Sequence, residues 1–241
     1  MTIINTFINY SLTDGQKELL IKLNEFLVDY TFCFILKGYA GTGKTFMMKG
    51  LTDYLKSVNR PFVLSAPTGR AAKIISQKTK SKAYTIHKTI YSNEDIKEYK
   101  IDNDNGTEII KFYYNIKNNK DQANTVYLID EASMLSDMYS EGEFFRFGSG
   151  FLLKDLIKYI NFDNNDHNKK KVIFIGDNAQ LPPVNMNFSP ALNEQYLLEK
   201  YQVSVCCYEL TEVVRQQNNS GILHNATKIR NSLKNNILNQ I

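Results

Sequence analysis

The eight residues from 38 to 45, GYAGTGKT, restrict the possible folds of this chain more than any other part of the sequence. They match the pattern G-x-x-x-x-G-K-[S/T] at every fixed position. They lie between an apolar run at residues 32–36 and a stretch of helical character at 44–58. A glycine-rich loop between a strand and a helix turns its backbone N–H groups towards a phosphate. The sequence therefore predicts a phosphate-binding loop in an α/β sheet.

The rest of the chain supports this prediction. Further short apolar runs, rich in β-branched and aromatic residues, predict buried strands at residues 62–65, 126–129, 172–175 and 205–210. Helices are predicted between them, at 14–28, 71–77, 151–159 and 222–232. Alternation of this kind is typical of a parallel sheet that is covered by helices on both faces. The predicted fold class is therefore α/β.

Two segments interrupt the alternation. Residues 91–123 hold two strand-like runs around Asn105-Gly106, a dipeptide that favours a tight hairpin turn because it tolerates positive φ angles. Residues 139–171 mix a Gly- and Phe-rich stretch with a polar run, and we predict a loop around a helix there. The chain is thus expected to be one unit, residues 1–241, with a hairpin inserted at 91–123.

Composition restricts the class of protein and its location. With 43% hydrophobic residues, 22% charged residues, 12 Gly and 5 Pro, the chain is neither collagen-like nor disordered. No apolar run approaches the ~20 residues that a membrane span needs, and no basic residue precedes the apolar positions of the first ten residues. We expect a cytoplasmic protein without a membrane partner. Three cysteines, Cys33, Cys206 and Cys207, are expected to be reduced, buried thiols.

The residues of the loop suit the binding of a nucleoside triphosphate. Lys44 can reach the β- and γ-phosphates, and the hydroxyl of Thr45 can bind Mg²⁺. The remaining positions would supply backbone groups and space for the phosphates: Gly38, Gly41, Thr42 and Gly43.

Polar residues follow two further predicted strands. Asp130 and Glu131 come directly after residues 126–129, and in a triphosphatase the first would hold Mg²⁺ and the second would orient or deprotonate the attacking water. Gln180 follows the strand at 172–175 within a Gly-Asp-Asn-Ala-Gln-Leu-Pro-Pro segment. Because the carboxyl ends of parallel strands face one crevice, Gln180 could sense the γ-phosphate there.

Together these segments resemble the first RecA-like motor domain of a superfamily 1 helicase of the 5′ to 3′ subgroup, which includes the RecD and Dda helicases. The resemblance covers residues 12 to about 232 and implies ATP, Mg²⁺ and DNA as ligands. Gln16 matches the position that reads adenine, and Arg215 matches the arginine that touches the γ-phosphate. The family's two single-strand-binding motifs match residues 64–73 and 83–87, which implies DNA contacts by Pro67, Thr68, Gly69, Arg70, Lys73, Thr85 and His87.

The charge distribution supports the DNA contacts independently. Residues 70–88 carry six basic residues and no acidic one, as a surface that binds phosphates requires. For His87, a place in the core is as good an interpretation as a DNA contact. In the inserted hairpin, the aromatic residues Tyr99, Phe112, Tyr113 and Tyr114 either stack on a base at a DNA fork, as the family's strand-separating pin does, or pack the hairpin onto the main domain.

The resemblance also implies a longer protein, and we expect the chain to be a monomer. Family members continue into a second RecA-like domain, which we expect beyond Ile241; the chain is then a fragment or a natural remnant. By itself it is expected to hydrolyse ATP slowly and not to unwind DNA. Two other interpretations remain: a nucleic-acid-binding module that uses ATP only as a switch, and another kind of P-loop ATPase. Lys44, Asp130 and Glu131 disfavour the first, and Gln180 disfavours the second.

Overall fold

The computed structural model describes residues 2–102, 108–160 and 170–214, together with residues 229 and 232. The strands of this part of the chain are β1 (Cys33–Gly38), β2 (Phe62–Ala66), β3 (Ala83–Thr85), β4 (Tyr91–Asp102), β5 (Glu108–Ile116), β6 (Val126–Ile129), β7 (Phe145–Phe147), β8 (Lys171–Gly176) and β9 (Val205–Leu210). The α-helices are α1 (Asp14–Val28), α2 (Lys44–Ser57), α3 (Gly69–Thr79), α4 (Ile86–Ile90), α5 (Leu152–Ile160) and α6 (Glu194–Tyr201).

Six strands form a parallel sheet in the order β3-β2-β6-β8-β1-β9. Successive side chains of a strand point to opposite faces, and β1 shows how both faces become covered. Phe34 and Leu36 pack in one core cluster with α1 and α2, whereas Cys33 and Ile35 pack in a second cluster with α4, α5 and α6. The predicted α/β sheet with helices on both faces is confirmed.

A second, smaller sheet contains the inserted hairpin. Strands β4 and β5 are antiparallel, with pairs from Ile96 and Tyr114 to Asp102 and Glu108. The predicted hairpin is therefore confirmed, while its proposed turn at Asn105-Gly106 lies outside the described residues. The sheet order is β4-β5-β7, and β7 runs parallel to β5. The prediction of a loop around a helix at 139–171 missed β7, because a three-residue strand carries no usable periodicity.

Buried contacts attach the small sheet to the main domain. The Phe147 ring lies 4.7 Å from Tyr114 and 5.3 Å from Tyr91, measured between ring centroids. The Tyr91 hydroxyl donates a hydrogen bond of 2.7 Å to Asp155 of α5, a carboxylate that also accepts hydrogen bonds from Ser149. The hairpin is thus anchored at its base, through β4, β7 and α5.

The sequence predictions differ from the structure in further details. Strand β3 and helices α4 and α6 were not predicted, and the helix predicted at 222–232 falls almost wholly outside the described residues. All three cysteines are free thiols, but only Cys33 is buried; Cys206 is half-buried and Cys207 is exposed because β9 is an edge strand. Among the described helices, none is both long enough and apolar enough to cross a membrane.

Candidate functional site

A cavity of about 510 Å³ lies at the carboxyl edge of the parallel sheet. The phosphate-binding loop between β1 and α2 forms one wall, and the residues that follow β6 and β8 form another. The cavity unites predicted site residues from separate segments: Gln16, Gly41, Gly43, Lys44, Thr45, Asp130, Glu131 and Gln180.

The conformation of the loop explains its glycines. Gly41 and Gly43 have φ angles of 89° and 92°, in the left-handed region that side chains disfavour. Gly43 is the N-cap of α2, so the unpaired N–H groups of the first helical turn face the cavity. Lys44 lies over the loop, and its Nζ donates hydrogen bonds to the backbone oxygens of Gly38 at 2.5 Å and Tyr39 at 3.0 Å. The loop therefore presents backbone donors and one cation to the same space.

Gln16 is buried between α1 and the loop. Its side-chain oxygen accepts a hydrogen bond from the N–H of Thr13, and its Nε2 donates to the backbone oxygen of Thr42 at 3.3 Å. A Cβ on Gly43 would lie only 2.8 Å from that Nε2. Gln16 thus supports the loop, and within the described part of the chain one of its two amide hydrogens is left for another partner. Its contact with adenine stays a prediction.

The two carboxylates at the end of β6 differ in environment. Burial and the neighbouring Glu131 raise the pKa of Asp130 to about 6, although Lys44 and Lys78 oppose the shift. Glu131 has a φ of 52°, an unusual value for a residue with a side chain, at the point where the chain leaves the strand. Strained backbone of this kind is concentrated at functional sites, and here it sets the direction in which Glu131 leaves β6.

The donor groups in the cavity fit a magnesium ion. The Thr45 hydroxyl and the Asp130 carboxylate line the same space, and both are the hard oxygen ligands that Mg²⁺ prefers. The raised pKa of Asp130 is the expected response of a carboxylate that is buried beside a second carboxylate, and a cation would relieve it. These residues therefore fit Mg²⁺ bound together with phosphate oxygens.

Gln180 joins the segment after β8 to the segment after β6. It is exposed, lines the cavity, and its side-chain oxygen accepts a 3.4 Å hydrogen bond from the Ser133 hydroxyl. The sequence analysis missed several other lining residues, among them Tyr10, Ser11 and Lys78, because they belong to no local motif. Only the excess of basic residues at 70–88 pointed towards Lys78.

Arg215 lies outside the described residues, so its role stays a prediction. Its neighbour Val214 lines the cavity, and the Val214 N–H donates a 3.0 Å hydrogen bond to the backbone oxygen of Gly41. The chain that leads to residue 215 therefore passes directly beside the phosphate-binding loop.

The predicted nucleic-acid contacts follow two adjacent strands, β2 and β3. Thr68 caps α3 by accepting a hydrogen bond from the Ala71 N–H at 3.2 Å, and Thr85 caps α4 in the same way from the Lys88 N–H. Because β2 and β3 are parallel neighbours, both caps lie at one edge of the sheet. The side chains of Thr68, Arg70 and Lys73 are exposed, as is Gly69, while Pro67 and Thr85 are half-buried.

His87 has a mainly structural environment. Its ring is half-buried, and the ring centroid lies 5.0 Å from that of Phe147 and 5.6 Å from that of Tyr91. Burial lowers the pKa of the imidazole. His87 thus joins α4 to the base of the small sheet.

Comparisons with known proteins agree with this geometry. Residues 11–141, more than half of the chain, match the family described as AAA domain. The ATP-dependent DNA helicase dda of Enterobacteria phage T4 is 29% identical over 224 residues, which cover 91% of this chain and 43% of that protein. The chain spans less than half the length of the first curated relatives that it matches.

Solved helicase structures share the fold. The Pif1 protein of Bacteroides sp, in complex with ADP-AlF4, has a TM-score of 0.54 at 16% identity, covering 96% of this chain and 48% of that one. The Pif1 helicase of Candida albicans has a TM-score of 0.53 at 17% identity, and the match covers 93% of this chain and 44% of that one. The resemblance inferred from the sequence motifs is confirmed. The chain therefore belongs to the AAA domain family, and its RecA-like fold is similar to that of the Pif1 structures.

Proposed function

We propose that this chain binds and hydrolyses ATP with Mg²⁺ and couples hydrolysis to movement on single-stranded DNA. One observation carries the proposal: Lys44, Thr45, Asp130, Glu131 and Gln180 come from three separate segments, yet they line one cavity at the edge of a parallel sheet. A structural role for these polar residues would not require that they meet.

The cavity suits in-line transfer of a phosphoryl group to water. Lys44 and the N-terminus of α2 bind the phosphates, and the metal ion that fits Thr45 and Asp130 would neutralise charge on the β- and γ-oxygens. Glu131 orients the water and accepts its proton as the new bond from oxygen to the γ-phosphorus forms. The bond between the γ-phosphorus and the β-phosphate oxygen breaks, and ADP leaves with that electron pair. Gln180 and Arg215 are proposed to contact the γ-phosphate.

Single-stranded DNA is proposed to cross the edge formed by the ends of β2 and β3. Exposed Arg70 and Lys73 offer charges for the sugar-phosphate backbone, and the helix starts at Gly69 and Ile86 offer N–H groups. Thr68 and Thr85 hold those helix starts in place. Travel from 5′ to 3′, a monomeric motor and a second RecA-like domain that supplies another grip on DNA are parts of the same proposal.

Steady-state ATP turnover with and without an oligothymidylate tests the proposal. We expect slow turnover that rises with the oligonucleotide and is lost in Glu131→Gln, because the variant lacks the group that accepts the proton. The matched control is Glu25→Gln, the same chemical change at an exposed position of α1. If ATP altered DNA binding without being hydrolysed, the chain would instead be a nucleotide switch.

A further inference from the structure

Two aromatic rings line the nucleotide cavity, although the proposed binding of phosphates and Mg²⁺ requires neither. They belong to Tyr10, which precedes α1, and to Phe46 in the first turn of α2. Their centroids lie 5.0 Å apart, with the ring planes at 75° to each other, so the rings meet edge to face. The cavity thus offers an aromatic surface in addition to its phosphate-binding groups.

The position of Tyr10 is set by contacts between the first residues of the chain and α2. A 3₁₀ helix, Ile3–Phe7, places the centroid of the Phe7 ring 5.2 Å from that of Phe46, again edge to face. Phe7 also lies so close to Gly50 that a Cβ on this glycine would be 1.9 Å from the ring. The N–H of Tyr10 donates a 2.9 Å hydrogen bond to the backbone oxygen of Phe7. The backbone of Tyr10 is therefore anchored to the helix that begins at the phosphate-binding loop.

Packing alone does not explain the side chain of Tyr10. Phe7, which closes the contact with α2, is 2% exposed, whereas Tyr10 is 54% exposed although its ring borders Phe46. More than half of the Tyr10 surface therefore remains available to a ligand. The cavity, at about 510 Å³, has room for more than a group of phosphates. An open aromatic ring in a cavity that also presents a cation fits a ligand with a flat aromatic part and an anionic part.

We propose that the ring of Tyr10 stacks on the base of the bound nucleotide. The inference rests on the proposed function, in that it assumes a nucleotide whose phosphates lie against Lys44 and the start of α2. Phe46 supports the Tyr10 ring from one side. Every base presents a π-face, so Tyr10 contributes affinity for any purine nucleotide and does not choose between adenine and guanine. A choice between these bases falls to groups that reach the edge of the base, such as Gln16 in the same cavity.

Isothermal titration of the whole chain with ADP and with inorganic pyrophosphate, both with Mg²⁺, tests the inference. Both ligands carry a diphosphate, but only ADP carries a base. Tyr10→Ala should lower the affinity for ADP by roughly tenfold, the size of effect that the loss of one stacked ring has in nucleic-acid binding. The affinity for GDP should fall by the same factor, and that for pyrophosphate should stay at the wild-type value. The matched control is Tyr30→Ala, the same change at a position that is 97% exposed, and it should keep all three affinities.

A fluorescent variant provides a second measurement. The chain has no Trp, so Tyr10→Trp introduces a single indole. Because a purine that stacks on an indole quenches its fluorescence, ADP should quench the emission of this variant and pyrophosphate should not. Tyr30→Trp is the control and should respond to neither ligand. Should Tyr10→Ala lower the melting temperature, Tyr10→Trp decides, because it keeps a large aromatic side chain against Phe46.

The outcomes separate this inference from the proposed function. If Tyr10→Ala lowers the affinities for ADP and pyrophosphate by the same factor, Tyr10 supports the phosphate-binding loop and the inference is wrong. Wild-type affinity for ADP in Tyr10→Ala, or emission of Tyr10→Trp that ADP leaves unchanged, would overturn it too. In each of these cases a nucleotide still binds, and the proposed function stands. If the wild-type chain binds neither ADP nor pyrophosphate, the proposed function fails as well.

Discussion

The phosphate-binding loop and the small sheet are built in opposite ways. The loop is eight consecutive residues whose glycines, lysine and threonine act at their own positions in the chain. The small sheet joins β4 and β5 to β7, and 28 residues of the chain separate the end of β5 from the start of β7. The loop is recognisable from local sequence, whereas the roles of the sheet's residues depend on pairing between distant strands. The two regions should therefore respond independently to substitution.

The largest expected effect is on catalysis in the cavity. Glu131→Gln should lower ATP turnover by roughly 10²-fold or more, because a positioned general base contributes about that factor. Nucleotide affinity should stay within a few-fold, since the substitution keeps the shape of the side chain. Lys44→Ala should instead weaken both affinity and turnover. Titration with a fluorescent ATP analogue and steady-state kinetics separate the two, and unchanged turnover in Glu131→Gln would disprove the assignment.

Gly43→Ala should damage the loop and spare the small sheet. Alanine at a φ of 92° is strained by about 1–2 kcal/mol, and its Cβ would lie 2.8 Å from the Gln16 amide nitrogen. We expect nucleotide affinity to fall by roughly tenfold or more, because 1.4 kcal/mol corresponds to a factor of ten.

Gly15→Ala is the matched control for that variant, because the nearest atom to a Cβ there lies at 3.6 Å. Isothermal titration with ADP measures the affinity, and hydrogen exchange reports on β5 and β7. Wild-type affinity in Gly43→Ala would show that the loop tolerates the side chain. A loss of protection in β5 would show that the two regions are coupled.

Tyr91→Phe should loosen the small sheet and leave the phosphate-binding loop unchanged. It removes the hydroxyl that donates to the buried Asp155, and losing one partner of a buried carboxylate costs about 1–3 kcal/mol. Amides of β5 and β7 should exchange faster, while ADP affinity stays at the wild-type value. Tyr30→Phe is the control, because Tyr30 is 97% exposed. If the amides of β5 and β7 exchanged at the same rate in Tyr91→Phe and Tyr30→Phe, the hydrogen bond to Asp155 would not anchor the sheet.

The smallest expected effect is on DNA binding, by substitutions at the ends of β2 and β3. Arg70→Ala with Lys73→Ala should weaken binding of oligothymidylate and make its salt slope shallower by up to about 1.4, if each side chain contacts one phosphate. Lys17→Ala, on α1, serves as the control for removing an exposed positive charge. If the double variant and the Lys17→Ala control bound oligothymidylate with the same salt slope, residues 70–73 would be an ordinary solvated helix surface.

The sequence predicted the parallel sheet well, for a physical reason. Buried strands need continuous apolar runs, and the predictions at 126–129 and 205–210 coincide with β6 and β9. Helix α1 has the predicted bounds, 14–28, and in the structure a capping box at Thr13 and Gln16 marks its start. The short elements β3, α4 and β7 were missed, since three to five residues show too little periodicity for a pattern to emerge.

The aromatic residues of the hairpin show what local reasoning left open. Phe112 stacks on Phe145 with centroids 5.9 Å apart, and Tyr114 stacks on Phe147, so both pack within the small sheet. Tyr99 is half exposed. Because neighbouring positions of a strand face opposite sides, the register decides which ring faces a partner and which ring faces β7. Of the four rings predicted to meet DNA or to pack, Tyr99 is the one with substantial exposure.

Local sequence specifies the phosphate-binding loop, the carboxylates after β6 and the parallel sheet that carries them, because those features depend on residues near one another in the chain. The packing of distant segments, in contrast, places Lys78 and Tyr10 in the wall of the nucleotide cavity. The same packing sets His87 against Phe147 and brings the Arg146 guanidinium to 4.9 Å and 5.7 Å from the centres of two tyrosine rings. These contacts join distant segments, and the closing of the chain around its two cores, rather than any local pattern, brings them together.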